Sequence, residues 1–392
     1  MKKLLSVLMS TVLTVAMLTA CSGQTQPASD IGSSQSQSQE ASGNSKSEFS
    51  EAAKYPLTFE DSLGTKFTID KPLEKIVVLN RQTAEAIKIL GAEDKVIATG
   101  DTTIKNNSYL GYNDLPDMGE TDELNIEAII ALKPDAVFVY TNRANDVLEE
   151  KLNPLGIKVI RMDNYQPERY DEEMAKLGTL LDKEDRAKEF LDYRAKVEAL
   201  VTDKVKDIAV ENRKSVMALS VGFINSNGGY RVFPVMSDNG EAGVGEGYAS
   251  ILAGGKDACP DIQWDPAKGD TTIQVEEEYA LNANPDVITL HGTWLGGYEC
   301  TDVNDFKTVM DNIYSISSIG KTKAGQNKDV YIFHTDMLGA SKRHLGLLQL
   351  GKYLYPDLFK DIDVEAYAKE YFEKWLGTTY QGIWFYSAKD AK

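Results

Sequence analysis

Residues 184–210, EDRAKEFLDYRAKVEALVTDKVKDIAV, decide the fold. Neither Gly nor Pro occurs from Thr179 to Val221, and apolar side chains fall at Ala187, Phe190, Leu191, Val197, Leu200, Val201, Val205 and Ile208. Steps of three and four are the helical period. A helix from Glu184 to Val210 would run roughly 40 Å at about 1.5 Å per residue. One lobe does not need a rod of that length, but a brace between two lobes does. The prediction is an N-terminal lobe over 55–182, a bridging helix over 183–212, and a C-terminal lobe over 213–392.

Both flanks read as α/β. Leu57–Asp61 and Lys66–Ile69 alternate around Leu63-Gly64, a hairpin signal. Apolar strands at Lys75–Leu79, Val96–Ala98, Ala136–Tyr140 and Lys158–Ile160 alternate with helical segments at Thr83–Leu90, Asn125–Leu132 and Val147–Leu155. Beyond the brace, strands at Val216–Leu219, Val287–Leu290 and Val330–Phe333 alternate with helices at Tyr248–Leu252 and Val275–Leu281. Closing helices follow at Leu345–Leu354 and Val364–Leu376. Such alternation implies parallel sheets covered by helices. The halves also echo one another. Glu127, Ile130, Pro134-Asp135 and Val137 match Glu278, Leu281, Pro285-Asp286 and Ile288, with the Glu seven residues before the Pro in each.

The N-terminus has Lys2 and Lys3, an apolar run from Leu4 to Leu18, then Leu18-Thr19-Ala20-Cys21. That order is a signal peptide over 1–20. The Cys placed after small residues resembles the lipobox of bacterial lipoproteins, which implies lipidation of Cys21. The run is too short to span a bilayer easily, since about 20 apolar residues are needed. Ser22 to Ser50 is rich in Ser, Gln, Gly and Asn, and such a segment buries too little apolar surface to fold. Residues 21–54 are therefore expected to be the lipidated Cys and a flexible tether, with a reach of about 30 Å.

The net charge of −18 argues against a nucleic-acid partner, because phosphate binding needs a basic surface. With Cys21 lipidated, Cys259 and Cys300 remain as an even pair, and an exported setting allows them to form a disulfide. The Gly-rich run 240–247 lacks the G-x-G-x-x-G spacing and the strand and helix context of a dinucleotide site. It is expected to be a flexible cleft loop. P-loop, G-x-S-x-G and H-E-x-x-H motifs are absent too, so an enzyme is disfavoured.

The stretches Phe59-Glu60-Asp61-Ser62-Leu63-Gly64, Ile76-Val77-Val78-Leu79, Glu85 to Gly91 and Asn125 to Asp135 resemble the substrate-binding proteins for ferric siderophores, haem and cobalamin. So does the closing stretch Leu345 to Pro356. These proteins serve ABC importers. The resemblance implies two Rossmann-like lobes bridged by one long rigid helix, the class III arrangement. It implies ligand between the lobes and no cofactor. It also implies docking onto an ABC permease, coupled to its ATPase, through one acid on each lobe: here Glu127 and Glu278. Helix N-terminal acids favoured by the macrodipole account for the same positions without docking.

Residues just after predicted strands are the candidate ligand contacts. In the first lobe they are Asn80, Arg81, Asp101, Tyr140, Asn142 and Arg143, with Tyr109 on a loop expected to cover the cleft. In the second they are Phe223, Asn225, Tyr230, Arg231, His291, Trp294, His334 and Arg343. Arginine forks suit oxyanions and aromatics suit a chelate, so an iron–siderophore complex is the leading expectation. Cobalamin, haem or an oxyanion such as molybdate are the alternatives. His291 and His334 are the candidate ligands should a metal bind, whereas His344 reads as structural. An adhesive surface protein is a further alternative, predicting no saturable small ligand. Residues 295–328 depart from the family core and are expected to form a lid pinned by Cys300. A lipid-anchored monomer on the extracytoplasmic face is expected, with a Gram-positive-type membrane favoured and a periplasmic setting as the alternative.

Overall fold

A computed structural model describes residues 54–120, 123–142, 146–221, 229–265, 271–292 and 295–389. Cys21, the tether, Arg143, Phe223, Asn225 and Trp294 lie outside the described residues. Among the described residues no helix is long and apolar enough to cross a membrane.

The hairpin pairs Leu57–Glu60 with Lys66–Ile69, antiparallel. The first main sheet has four strands in the order Val96–Thr99, Ile76–Val78, Ala136–Val139, Lys158–Arg161, all parallel. Helices Arg81–Ile89, Ile126–Leu132 and Asp146–Leu152 connect or flank them. The second sheet has a parallel centre: Ser215–Ser220, Val287–His291 and Val330–Phe333, with Lys256–Asp257 beside the first of these. Its margins are antiparallel, formed by Gly229–Val232 and Ile273–Glu276 on one side and Phe385–Ser387 on the other.

The sequence echo has the same physical cause in both lobes. Lys133 and Asn284 end their helices in the left-handed region, at φ 50° and 44°. The Asp after each Pro then caps the start of the neighbouring strand. Asp135 accepts from the backbone N–H of Glu74 and Lys75 at 2.9 and 3.0 Å. Asp286 accepts from the backbone N–H and the hydroxyl of Ser215, both at 2.9 Å.

The long helix spans Glu184–Val205 and buries Ala187, Phe190, Arg194, Val197, Val201 and Val205. At 22 residues it is about 33 Å long. It packs against Tyr170–Leu180 of the first half and Arg343–Leu354 of the second. It ends five residues before Val210, which is 63% exposed. Past Val205 the packing thins: Ile208 is half-buried against the main core, Ala209 and Val210 are exposed, and the Ile208 carbonyl accepts from Arg213 at 3.0 Å. Phe190 stands edge-on to Trp375, with ring centroids 5.0 Å apart.

Residues 295–328 are not a lid. Helices Asn304–Ser315, Ser317–Gly320 and Lys323–Asn327 form the crossover between two parallel strands. Phe306, Met310, Ile313 and Ile319 bury themselves in the second core, which explains why this stretch cannot lift. The expected disulfide is also absent. Cys259 is buried, and the Cys300 thiol instead donates to the Asp302 carbonyl at 3.4 Å.

Candidate functional site

A cavity of about 260 Å³ opens between the lobes at the carboxyl ends of the first sheet. Arg81 and Gln82 enter it after strand Ile76–Val78, and Tyr140 and Asn142 after the adjacent strand Ala136–Val139. The chain changes direction between these two strands, and parallel sheets bind ligands at such switch points. A larger hollow of about 530 Å³ lies at the opposite, amino-terminal end of the same strands. Its lining mixes Ile69, Leu73, Ile130 and Leu155 with Asp70, Lys71, Lys133 and Lys158, and its Asp135 is already engaged by the backbone N–H of Glu74 and Lys75; it lies away from the switch point, so the cleft is the candidate site.

The second half supplies Val244, Gly245 and Glu246, the loop residues Thr335 and Asp336, and the turn Gly339–Ala340. Two helix N-termini, Arg81–Ile89 and Gly245–Leu252, therefore face one space. Neither N-cap residue caps its helix with a side chain, while the Arg81 N–H faces the Tyr140 hydroxyl and the Glu246 N–H faces its own carboxyl. Ala340 adds a residue held at φ 51° in the wall. The Gly-rich run is not a loose loop. A Cβ on Gly243 would meet the Pro234 carbonyl at 2.4 Å, and one on Gly247 would meet it at 2.3 Å. The glycines let the start of helix Gly245–Leu252 press against the backbone of Phe233–Val235.

Arg81 forms an ion pair across the cleft with Asp336, whose carboxyl the guanidinium holds well below the usual range against the cost of burial. Asn107 also donates to Asp336, at 3.2 Å. The Tyr140 hydroxyl donates to Gln82 at 2.6 Å, and its ring meets Tyr165 edge-on at 6.0 Å. Behind this wall lies a second buried pair. The Lys342 ammonium donates to both carboxylate oxygens of Glu85 at 2.6 Å and to the Tyr109 hydroxyl at 2.8 Å. The Tyr371 hydroxyl donates to the same Glu85. A third cluster uses the long helix. Arg343 donates to Glu198 at 3.0 and 2.9 Å, while Arg194 bonds both Glu198 and Asp171.

Of the sequence candidates, the structure brings Arg81, Tyr140 and Asn142 together in the wall. The other described candidates are elsewhere. Asn80 is fully buried and donates to the Met162 carbonyl at 2.6 Å, pointing back into its own lobe. Tyr109 is not a cover over the cleft but is packed among Tyr298, Phe372 and Trp384. Asp101 bonds Lys105 and Thr102. Tyr230 lies in the second core against Ser318. Arg231 is engaged by Thr272, and Arg343 by Glu198. His291 sits between Phe233 and Phe333, and burial holds its imidazole down at about 3. His334 lies against Trp384, held down by burial to about 4. His344 is enclosed by Phe190, Tyr193 and Tyr371, and burial brings it to about 3. Among the described residues no group of three or more His, Cys, Asp or Glu side chains converges as a metal site. Glu127 and Glu278 both stand exposed in the first turns of their helices.

Sequence reasoning missed Asp336, Glu246, Tyr165 and Gln166. Asp336 carried a signal, since it follows the apolar strand Val330–Phe333 by three residues. Glu246 lies in the Gly-rich run expected at the cleft, but no apolar strand runs directly into it to single it out.

Comparison with known proteins places the chain. The molybdate-binding protein MolA of Haemophilus influenzae is 26% identical over 342 residues, covering 82% of this chain and 91% of that protein. YvrC of Bacillus subtilis, an uncharacterized ABC transporter substrate-binding lipoprotein, is 23% identical, covering 78% and 88%. The fold matches the TroA-like periplasmic binding protein FepB of Veillonella parvula with a TM-score of 0.65 at 22% identity, over 85% of this chain and 99% of that one. The family described as periplasmic binding protein matches residues 76–337, which is most of the folded body. A two-lobed α/β fold with a polar cleft at the strand ends, matched along this length, is that of a solute-binding protein and not an enzyme: the chain belongs to the periplasmic binding protein family, the substrate-binding components of ABC importers.

Proposed function

We propose that this chain is a lipid-anchored receptor that captures a compact oxyanion of the molybdate class and delivers it to an ABC permease. One observation carries the reading. The cavity, at about 260 Å³, brings two helix N-termini to one space beside the Arg81 guanidinium, which a ligand would share with its present partner Asp336. Backbone N–H groups at helix starts bind anions, and a small tetrahedral anion fits a space below the roughly 300–1,000 Å³ of ordinary ligand pockets. The relationship to MolA supports the same class. Cys21 would carry the lipid and the tether would hold a monomeric receptor near its permease. Glu127 and Glu278 would set the docking orientation, as exposed charge pairs chiefly do.

An iron–siderophore complex is the second reading, favoured by the Tyr140–Tyr165 wall. Like haem or cobalamin, it needs a wider cleft and therefore rupture of the Arg81–Asp336 pair. Thermal shift and calorimetry with molybdate, tungstate, ferric siderophores, haem and cobalamin test the choice. Saturable stabilisation by molybdate or tungstate, lost in Arg81→Gln, is expected. Binding of a coloured chelate with no response to either oxyanion refutes it.

A further inference from the structure

An anion site gains nothing from an ionised carboxylate in its wall, yet Glu246 stands in this one. It occupies the first turn of helix Gly245–Leu252, on the side of the cleft opposite Arg81. The charged and titratable groups around it come from three separate elements. Arg81 belongs to the first helix, Asp336 to the loop after strand Val330–Phe333, and Tyr165 to the loop after strand Lys158–Arg161. Arg81 and Asp336 neutralise each other, so that pair brings no net charge to the space. Among the described residues no side chain donates a hydrogen bond to the Glu246 carboxyl. A doubly charged oxyanion seated here would thus face one uncompensated carboxylate at close range.

We infer that Glu246 holds a proton in the loaded site, so that capture of a fully deprotonated oxyanion takes up one proton and the carboxyl donates a hydrogen bond to the ligand. A neutral carboxyl supplies one O–H donor, where the ionised form supplies only acceptors. Protonation turns the repulsive wall residue into the ligand's partner. The free protein is already biased this way. Burial pushes the Glu246 carboxyl up, and the Asp336 charge adds to that, against the opposing pull of its own helix N–H and of Arg81. The inference rests on the oxyanion reading and deepens it. Glu246 becomes the residue that sets how affinity depends on pH, and it favours oxyanions able to accept a hydrogen bond on every face.

Linkage gives the magnitude. Above the pKa of the carboxyl, one proton taken up per ligand weakens binding about tenfold for each pH unit. Calorimetry with sodium molybdate, in buffers of different ionisation enthalpy, counts the protons directly. Wild type should take up close to one proton per molybdate at pH 8 and lose about tenfold in affinity from pH 7 to pH 8. Glu246→Gln, which keeps the shape and an N–H donor, should bind with no proton uptake and a flat profile. If wild type binds molybdate without proton uptake, the assignment is overturned while the oxyanion reading stands. The same holds if the Gln variant keeps the wild-type slope. Should the variant not fold, the wild-type proton count decides alone. No molybdate binding by wild type at any pH overturns both readings.

Discussion

Replacing Lys342 by methionine tests how the two halves are joined. The Lys342 ammonium is 1% exposed and sits 2.6 Å from both oxygens of Glu85, 257 residues away in sequence. Methionine keeps most of the stem volume, so the cavity cost is small and the change is chiefly electrostatic. It leaves a buried carboxylate with the Tyr371 hydroxyl and a 3.5 Å contact from Tyr109. Removing one partner of a buried ion pair costs about 3–5 kcal/mol, because the other charge is left uncompensated. That is a large share of the ~5–15 kcal/mol that holds a typical domain folded. Urea unfolding followed by Trp fluorescence reports it well, since Trp384 and Trp375 lie in the same aromatic cluster as Tyr109, Tyr371 and Phe372. Adding Glu85→Gln to Lys342→Met should recover much of the loss, because the orphaned charge is then gone. A single-mutant cost below about 1 kcal/mol, or a double mutant as costly as the two singles summed, refutes the argument.

Acid should destabilise the protein well before its carboxylates titrate. Burial holds His291, His334 and His344 at about 3, 4 and 3 when folded, against an ordinary 6.5. The unfolded chain therefore binds the extra protons, so their contribution is complete above pH 6.5 and is lost as pH falls towards about 4 for His334 and about 3 for His291 and His344. Each imidazole contributes about 1.4 kcal/mol per pH unit there. Urea midpoints at pH 7, 6 and 5 should fall steeply, and His344→Gln should flatten the slope by about one proton; a pH-independent midpoint contradicts this. Asp336 adds its own loss only below the ordinary carboxylate range, where protonation breaks its pair with Arg81. Reversing the two proposed docking acids, Glu127→Arg with Glu278→Arg, should abolish ligand-dependent stimulation of the permease ATPase. Ligand affinity should stay unchanged, and persistent stimulation would show that the acids are not the contacts.

The long helix was legible because its buried face repeats at steps of three and four from Ala187 to Val205. Its end was not, because Ile208 and Val210 continue the apolar pattern although the helix stops at Val205, with Ile208 half-buried and Val210 exposed. The strand cores and the two Pro-Asp strand starts were likewise local features, and each appears in both lobes. Candidate contacts chosen as residues after strands fared differently. Asn80 and Arg81 are neighbours, yet one points into its lobe and the other into the cleft. The choice between them depends on where the second lobe sits.

What the sequence determined by itself was the α/β alternation of elements, the long helix between the two sheets and the matching Pro-Asp strand starts, all carried by spacings within a few turns of chain. Only the tertiary structure decided which side chains wall the cleft. Arg81 meets Asp336 across 255 residues, Arg343 is drawn away to Glu198, and Glu246 is brought to face them both. Periodicity is a short-range property of one segment. The partner of a buried charge is set by which segments pack together, and a side chain far along the chain leaves no local trace of that pairing.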